Sequence, residues 1–470
     1  MRWIAKVQWE AVCVLAVVLV GVVARSWQIG YSFDSDEIFS AALAGGSFSQ
    51  FLAGSLHDAT HPPLYNLLLH VWLSVFGTSE IAARALSVVF SCGFLFFAYK
   101  LLRRYLDAWL ALAMLAVFAL SPFFVYYGQQ VRPYSLICFL SAANLFAFFK
   151  AIDAPEERRP LLIWALSGAA LLYSQYLGVF FIGAQMLYAL YYLRAERLRF
   201  AAYGAAVVAS IAPWAIAAMG ASLANRADPV PMIAWMVPPR PSNFVWFYAS
   251  AFGTRIAIRW LLLVLAVPVA FYVRHIAKTR SIPKEHVLLL VLAVGLPCLI
   301  YAMSVLGPKP IFVSRQLAGA AVAFVLFVGV MLGTAPRPVA AAIAAVLIGW
   351  CAFSVGEWLP QNKNEPWRET ARWLDDRYGA AEVVVGDPVD KLHLRYYRKP
   401  GKIEAWSDLS SVEKSGEFLF LCRPHYCKPL RSDEMRSRVS PLATWAWDKY
   451  LGETGFNRMT VYAVRPAQQR

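Results

Sequence analysis

The chain has 470 residues, of which 59% are hydrophobic and only 16% charged, with a mean hydropathy of +0.51. Soluble domains average about 45–50% apolar and about 25% charged residues, so the excess excludes a soluble globular protein and places most of the chain in lipid. The formal net charge of +15 does not mark a nucleic-acid binder. Its Lys and Arg residues sit in short loops between apolar segments, where they set topology and meet anionic lipid.

The first apolar segment, about Val7 to Ala24, resembles a signal peptide but lacks a small-x-small cleavage site before Arg25, and reads as an uncleaved anchor. Segments long enough to span follow at roughly 82–101, 108–127, 133–151, 160–175, 177–194, 200–220, 259–275, 286–306, 314–333 and 337–356, which makes about eleven spans. With the N-terminus in the cytoplasm, the cytoplasmic loops hold Arg2 and Lys6; Lys100, Arg103 and Arg104; Lys150, Arg158 and Arg159; Arg194, Arg197 and Arg199; Arg274, Lys278, Arg280 and Lys284; and Arg337. The opposite side holds fewer and more scattered cations: Arg25, Arg84, Arg132, Arg226, Arg240, Arg255, Arg259, Lys309 and Arg315. This bias obeys the positive-inside rule. An odd number of spans then puts the C-terminal region outside.

Two outer segments do not read as spans. The first outer loop, 26–81, contains amphipathic stretches, and Pro63 to Phe76 reads as a helix lying on the membrane surface. The second, 221–258, is rich in Pro, Trp and Phe and predicts a lid or short interfacial helices. From about Glu357 the composition becomes charged. Pro366 to Tyr378 reads as a helix with Pro at its first turn, and Glu382–Val385 and Glu417–Leu421 read as short buried strands. The expected architecture is a mainly α, polytopic membrane helix bundle over 1–356, followed by a small soluble α/β domain over 357–470. Cys13, Cys92, Cys138, Cys298 and Cys351 fall in apolar segments, whereas Cys422 and Cys427 lie in the polar region, where an oxidising compartment would let them pair.

The outer loops carry the chemistry-bearing residues. Asp36 and Glu37 follow the first apolar segment, and no Lys or Arg lies between Arg25 and Arg84. Charge held at a membrane surface signals function, although acids at this point also suit a helix N-terminus. Successive helical residues point about 100° apart, so one carboxylate can face a cleft while the other supports the scaffold. A carboxylate there can serve as general base toward a hydroxyl or amine. Next come His57, Asp58 and His61, before Pro62-Pro63 and Tyr65, as acceptor-binding or supporting residues. Asp58 with His61 is a weak candidate for a divalent metal ion, because no HExxH or close His-x-His spacing accompanies it. At the outer end of the third span, Arg132 offers a planar donor fork to a phosphate, with Tyr127 and Tyr134 beside it. Lys309 and Arg315 add cations before the tenth span.

A base facing cations that receive a phosphate describes group transfer from a lipid-phosphate donor. If that donor is a polyprenyl-phosphate sugar, the leaving group is already a good anion, and one carboxylate suffices with charge stabilisation. Direct attack then inverts the anomeric carbon. Neither a GxGxxG nor a P-loop appears in a strand–turn–helix context, which fits a lipid-carried donor outside the cytosol.

At these residues the chain resembles membrane glycosyltransferases of the GT-C superfamily. It is most similar to the bacterial branch of glycosyltransferase family 39, related to protein O-mannosyltransferases and lipid A aminoarabinose transferases. The resemblance rests on Asp36-Glu37, on Asp58 with His61-Pro-Pro-Leu-Tyr65, and on Phe76-Gly-Thr-Ser-Glu80 followed by Arg84. It continues in Gln130-Val-Arg-Pro-Tyr134, Tyr173-Ser-Gln-Tyr-Leu-Gly178 and Ser314-Arg315, over roughly residues 1–335. It implies Asp36 as catalytic base, Arg132 and Arg315 toward the donor phosphate, and a cavity between the first outer loop and the bundle. One departure is Gln316, where the family often has Tyr after the Arg.

The expected protein is a multi-pass enzyme of the bacterial plasma (inner) membrane, with a cytoplasmic N-terminus and a periplasmic C-terminal domain. Its partners are a polyprenyl-phosphate-linked sugar, a lipid, glycan or protein acceptor, and membrane lipids, with no nucleic acid. No cofactor is implied beyond the possible divalent metal. The competing reading, a transporter or flippase for a lipid-linked or anionic solute, needs charged or broken helices at mid-membrane depth. A membrane anchor for the C-terminal domain leaves the outer acids unexplained.

Overall fold

The protein is known from a computed structural model, which describes residues 2–58, 61–224, 237–253, 258–360, 364–398, 401–409, 417–423, 427, 430, 432–446 and 458–466. The chain divides into two compact units. One comprises residues 1–29 and 43–359, the other residues 30–42 and 360–470. The short segment 30–42, which the sequence groups with the membrane domain, thus belongs with the C-terminal region.

The first unit is helical. Among the described residues, eight helices are long and apolar enough to cross a membrane, from Gln8–Ser26 to Arg337–Trp358. Every apolar segment expected to span is helical, but three are not straight helices of full length. Arg158–Ser174 has 17 residues and Gly178–Tyr192 has 15. The third, over 108–129, bends by 48° between Ala108–Leu120 and Pro122–Gln129.

Pro122 explains the bend. It has no N–H to donate to the Phe118 carbonyl four residues back, and its ring clashes there. The freed carbonyls are taken by Arg25, whose Nη2 donates to Phe118 O (3.1 Å) and Nη1 to Ala119 O (2.6 Å). Arg25 Nε also donates to Ser91 Oγ (2.6 Å). Gly128 permits this approach, since a Cβ there would lie 2.6 Å from the same Ser91 oxygen. Arg25, which the loop count placed among outer cations, is therefore a buried cap for a broken helix.

At one end of the bundle Arg104 pairs with Asp153 and Glu285 (both 2.6 Å), and Tyr105 Oη donates to Glu285 (2.8 Å). This network joins the ends of Glu80–Tyr105 and Tyr134–Asp153 to the start of Lys284–Leu290. All three ends lie on loops that the charge bias assigns to one side. Leu15, Leu19, Phe96, Leu187, Leu262 and Phe353 are exposed apolar side chains on these helices, as a surface facing lipid requires. Leu64–Phe76 has 13 residues, about 20 Å of helix at 1.5 Å per residue. That is too short for a hydrocarbon core of about 30 Å.

The second unit holds a five-stranded mixed sheet of β1 (Val383–Val385), β2 (Ile403–Ala405), β3 (Phe418–Cys422), β4 (Val439–Ala446) and β5 (Arg458–Val464), in the order β2-β1-β3-β5-β4. β1 runs parallel to both neighbours, and the helix Pro388–Tyr397 makes the crossover to β2 that a parallel pair needs. β5 is antiparallel to β3 and β4. The helix Trp367–Tyr378 starts after Pro366 and ends at Gly379, whose φ of 53° suits glycine. Val384, Phe420, Met435 and Val464 form the core, and Cys422 and Cys427 are joined in a disulfide.

Candidate active site

The acidic segment is built around a helix start. Asp34 precedes the helix Ser35–Gly45, and its Oδ1 accepts the N–H of Glu37 (2.8 Å). Glu37 Oε2 accepts the N–H of Asp34 in return (3.1 Å). This is a reciprocal capping box, which satisfies two otherwise orphaned donors. Glu37 also accepts from Asn364 Nδ2 (2.8 Å) and is fully buried, whereas Asp36 between them is exposed. The two carboxylates of the pair therefore have different fates: Glu37 belongs to the scaffold and Asp36 faces outward.

The rest of the segment is clamped by the C-terminal residues of the same unit. Arg368 donates to Gly30 O (2.9 Å) and Asn364 to Ser32 O (3.3 Å). The Phe33 N–H donates to Tyr397 Oη (2.9 Å), while the buried Phe33 ring meets Tyr396 edge-on at 5.8 Å. Ser35 Oγ donates to Glu365 Oε2 (2.5 Å). Arg423 donates to Glu365 Oε1 (2.7 Å), to Ser35 Oγ (3.2 Å) and to Asp390. Sequence reasoning did not find Asn364, Glu365, Arg368, Tyr397 or Arg423, because they lie more than 320 residues along the chain from their partners and carry no motif.

Two of these acids are shifted in opposite directions. Burial, then the charges of Glu37 and Asp36, push the Asp34 carboxyl well above its ordinary 3.8. Burial would also raise Glu365, but Arg423, His393 and the hydrogen bonds from Ser35 and Trp367 outweigh it and hold Glu365 below its ordinary 4.5. By linkage, the stability from Glu365 is complete above 4.5 and is lost as pH falls through the depressed folded value. The stability from Asp34 is complete below 3.8 and declines as pH rises toward its elevated value. Asp34→Asn, which keeps a cap acceptor, is therefore expected to raise the thermal midpoint at pH 7 and to leave the acid limb in place. Thermal unfolding of the purified protein from pH 3 to pH 8 checks this; a midpoint lowered at pH 7 contradicts it.

The helical unit holds the second cluster. Asp58 closes the helix Phe48–His57 and is buried. Its Oδ2 lies 3.3 Å from His61 Nδ1, and His61 Nε2 lies 3.1 Å from Arg132 Nη2. A guanidinium only donates, so Nε2 accepts and the Nδ1–H donates to Asp58. Arg132 sits in the turn before Pro133 and the helix Tyr134–Asp153, at the opposite end of that helix from the Arg104 network. Tyr134 is buried with its ring 5.0 Å from Tyr127. Tyr176 is near enough to Asp58 that, after burial, the carboxylate helps to raise its hydroxyl above the ordinary 10.0. Tyr176 lies in the Tyr173–Gly178 run, but its chemistry was not legible there.

The remaining candidates are scattered. His57 is exposed at the end of its helix. Tyr65 is buried, with its hydroxyl 2.9 Å from Ser87 Oγ, and packs in the core. Arg315 is half-buried in the turn Ser314–Leu317, and Lys309 is exposed before it. Asp58 and His61 do not fit a divalent ion. Both imidazole nitrogens are engaged, one by a guanidinium that would repel a metal, and no group of three or more His, Cys, Asp or Glu that could hold a metal occurs among the described residues.

Residues 60–217 match the family model described as dolichyl-phosphate-mannose-protein mannosyltransferase, a stretch that includes His61, Arg132 and Tyr176. Over nearly its whole length the chain is similar in structure to ArnT from Cupriavidus metallidurans in the apo state, with a TM-score of 0.63 and 12% identity, covering 98% of each chain. The chain has the fold of these membrane glycosyltransferases. The mannosyltransferase family match covers about a third of the chain, and the likeness to ArnT extends over nearly all of it. ArnT bound to undecaprenyl phosphate gives a TM-score of 0.58 at 13% identity, over 97% of this chain and 98% of that one. The oligosaccharyltransferase AglB from Archaeoglobus fulgidus, in complex with an inhibitory peptide and a dolichol-phosphate, gives 0.53 at 11%, over 84% of this chain and 65% of that one. A search of curated proteins by sequence gives no match. At such low identity, what these structures have in common with the chain is the fold.

Proposed function

We propose that this glycosyltransferase moves a sugar from a polyprenyl-phosphate carrier to a lipid, glycan or protein acceptor at the outer face of the bacterial plasma membrane, with inversion. The observation that carries the reading is the division of the acidic pair. Glu37 is buried and bonded within the capping box and to Asn364, whereas Asp36 is solvent-exposed and so is the carboxylate accessible to a substrate. Structural neighbours that bind undecaprenyl phosphate and dolichol-phosphate support a lipid-phosphate donor.

In this reading the Asp36 carboxylate takes the proton from an acceptor hydroxyl or amine as its lone pair attacks the anomeric carbon. The bond from that carbon to the phosphate oxygen breaks, and its electron pair leaves on the lipid phosphate. Arg132 and Arg315, with Lys309, receive the departing charge, so no acid is needed to protonate it. Asp58 holds His61, and His61 orients Arg132. The N-terminus is cytoplasmic and the C-terminal unit periplasmic. The bent helix pair does not favour transport, because its freed carbonyls are already occupied by Arg25.

The test uses lipid extracted from a strain lacking the protein, in which the unused donor accumulates. Purified protein in liposomes containing this extract, supplied with envelope material from the same strain, is expected to release free polyprenyl phosphate and glycosylate the acceptor. Passage of the lipid-linked sugar across the bilayer with no release would establish the transport reading instead.

A further inference from the structure

The C-terminal unit buries a cluster of charged side chains away from its apolar core. Arg423, Glu365 and Asp390 are all nearly inaccessible to solvent, and Arg423 bridges both acids with its guanidinium 5.3 Å over the Trp367 ring. Burying such a cluster costs several kcal/mol per ion before pairing, and an apolar replacement of the same volume is often no less stable. The apolar core of this unit lies around Val384 and Phe420. The cluster instead converges on Ser35: Arg423 and Ser35 are 3.2 Å apart, Ser35 and Glu365 2.5 Å. Ser35 opens the acidic helix and immediately precedes Asp36.

We propose that the Arg423–Glu365–Asp390 network is a positioning device, which fixes the first turn of the acidic helix through Ser35 and thereby aims the Asp36 carboxylate. The inference rests on Asp36 being the base. A hydrogen bond to Ser35 Oγ locates the helix at its first residue, and the backbone clamp on residues 30–33 fixes the approach of the chain. Between them the direction of the Asp36 side chain is set within one compact unit. The C-terminal unit is thus a working part of the catalytic machinery, and Arg423 and Ser35 act through Asp36 without touching substrate. Misplacing a reacting group by about 1 Å costs on the order of 100-fold in rate.

The experiment measures turnover in the liposome assay above with full-length Arg423→Ala, Arg423→Lys, Ser35→Ala, their double variant Arg423→Ala/Ser35→Ala, and Asp36→Asn as reference. Arg423→Ala and Ser35→Ala are expected to lower kcat by ~10–100-fold and to leave the donor KM within about threefold, the sign of a misaimed group rather than lost binding. Arg423→Lys is expected to restore part of the rate, and the double variant to be no slower than Arg423→Ala alone, since both cut one connection. Ser35→Ala, whose loss leaves the Arg423–Glu365 pair in place, decides the matter should Arg423→Ala fail to fold. If Asp36→Asn is inactive while Ser35→Ala turns over at the wild-type rate, positioning is overturned and the base assignment stands. If Asp36→Asn is itself active, the base assignment is what fails.

Discussion

Asp36→Asn is expected to lower sugar transfer by about 10²–10⁴-fold, the range that a positioned general base contributes, with undecaprenyl phosphate binding unchanged. The amide preserves shape and removes basicity, so the loss falls on kcat. Folding should be little disturbed, because Asp36 is exposed and its contribution to the helix N-terminus is on the order of 0.3–1 kcal/mol. Glu37→Gln is the instructive contrast. Glu37 is buried and bonded to Asp34 and Asn364, so its substitution should appear first as a lower thermal midpoint. Release of polyprenyl phosphate, measured by mass spectrometry beside the thermal midpoint of each variant, separates the two roles. Asp36→Asn turning over within threefold of wild type would remove the base from the mechanism.

Arg132→Ala is expected to weaken undecaprenyl phosphate binding by about 10–150-fold, the equivalent of one hydrogen bond to a charged group at about 1.5–3 kcal/mol, and to reduce kcat/KM at least as much. Arg132 is buried in the turn before Pro133, and His61, which accepts from it, is itself held by Asp58. Arg132→Lys keeps the charge but loses the planar fork, and is expected to recover binding better than turnover. His61→Ala frees the guanidinium and should raise KM with Arg132 still present. Equilibrium titration of undecaprenyl phosphate by tryptophan fluorescence reads the first effect directly. Unchanged affinity in Arg132→Ala would assign the phosphate to other cations.

The membrane architecture was legible in the sequence because it follows from strong, local signals. A bilayer demands about 20 apolar residues per helix and biases cations to one side, and each apolar segment expected to span is helical. The helix Trp367–Tyr378 and strands β1 and β3 were legible for the same reason, from Pro at a first turn and unbroken apolar runs. β2, with only three residues and Glu404 between its two apolar positions, and β4, with Pro441 and largely exposed side chains, gave no comparable signal. The sequence shows Pro122 as a proline, but not that Arg25, more than 90 residues away, caps the carbonyls it frees.

The candidate site divides along the same line. Sequence alone determined that an acidic pair stands between Arg25 and Arg84 with no Lys or Arg in between, and that Asp58, His61 and Arg132 stand outside the apolar segments expected to span. These are matters of composition and order. Only the tertiary structure decided which carboxylate of the pair is exposed, because helical phase depends on where the helix starts, and Asp34 sets that start by capping Glu37. It also decided that residues 30–42 fold with 360–470, since hydrogen bonds from Asn364, Arg368, Tyr397 and Arg423 close across most of the chain. Contacts of that sequence separation leave no local periodicity to read.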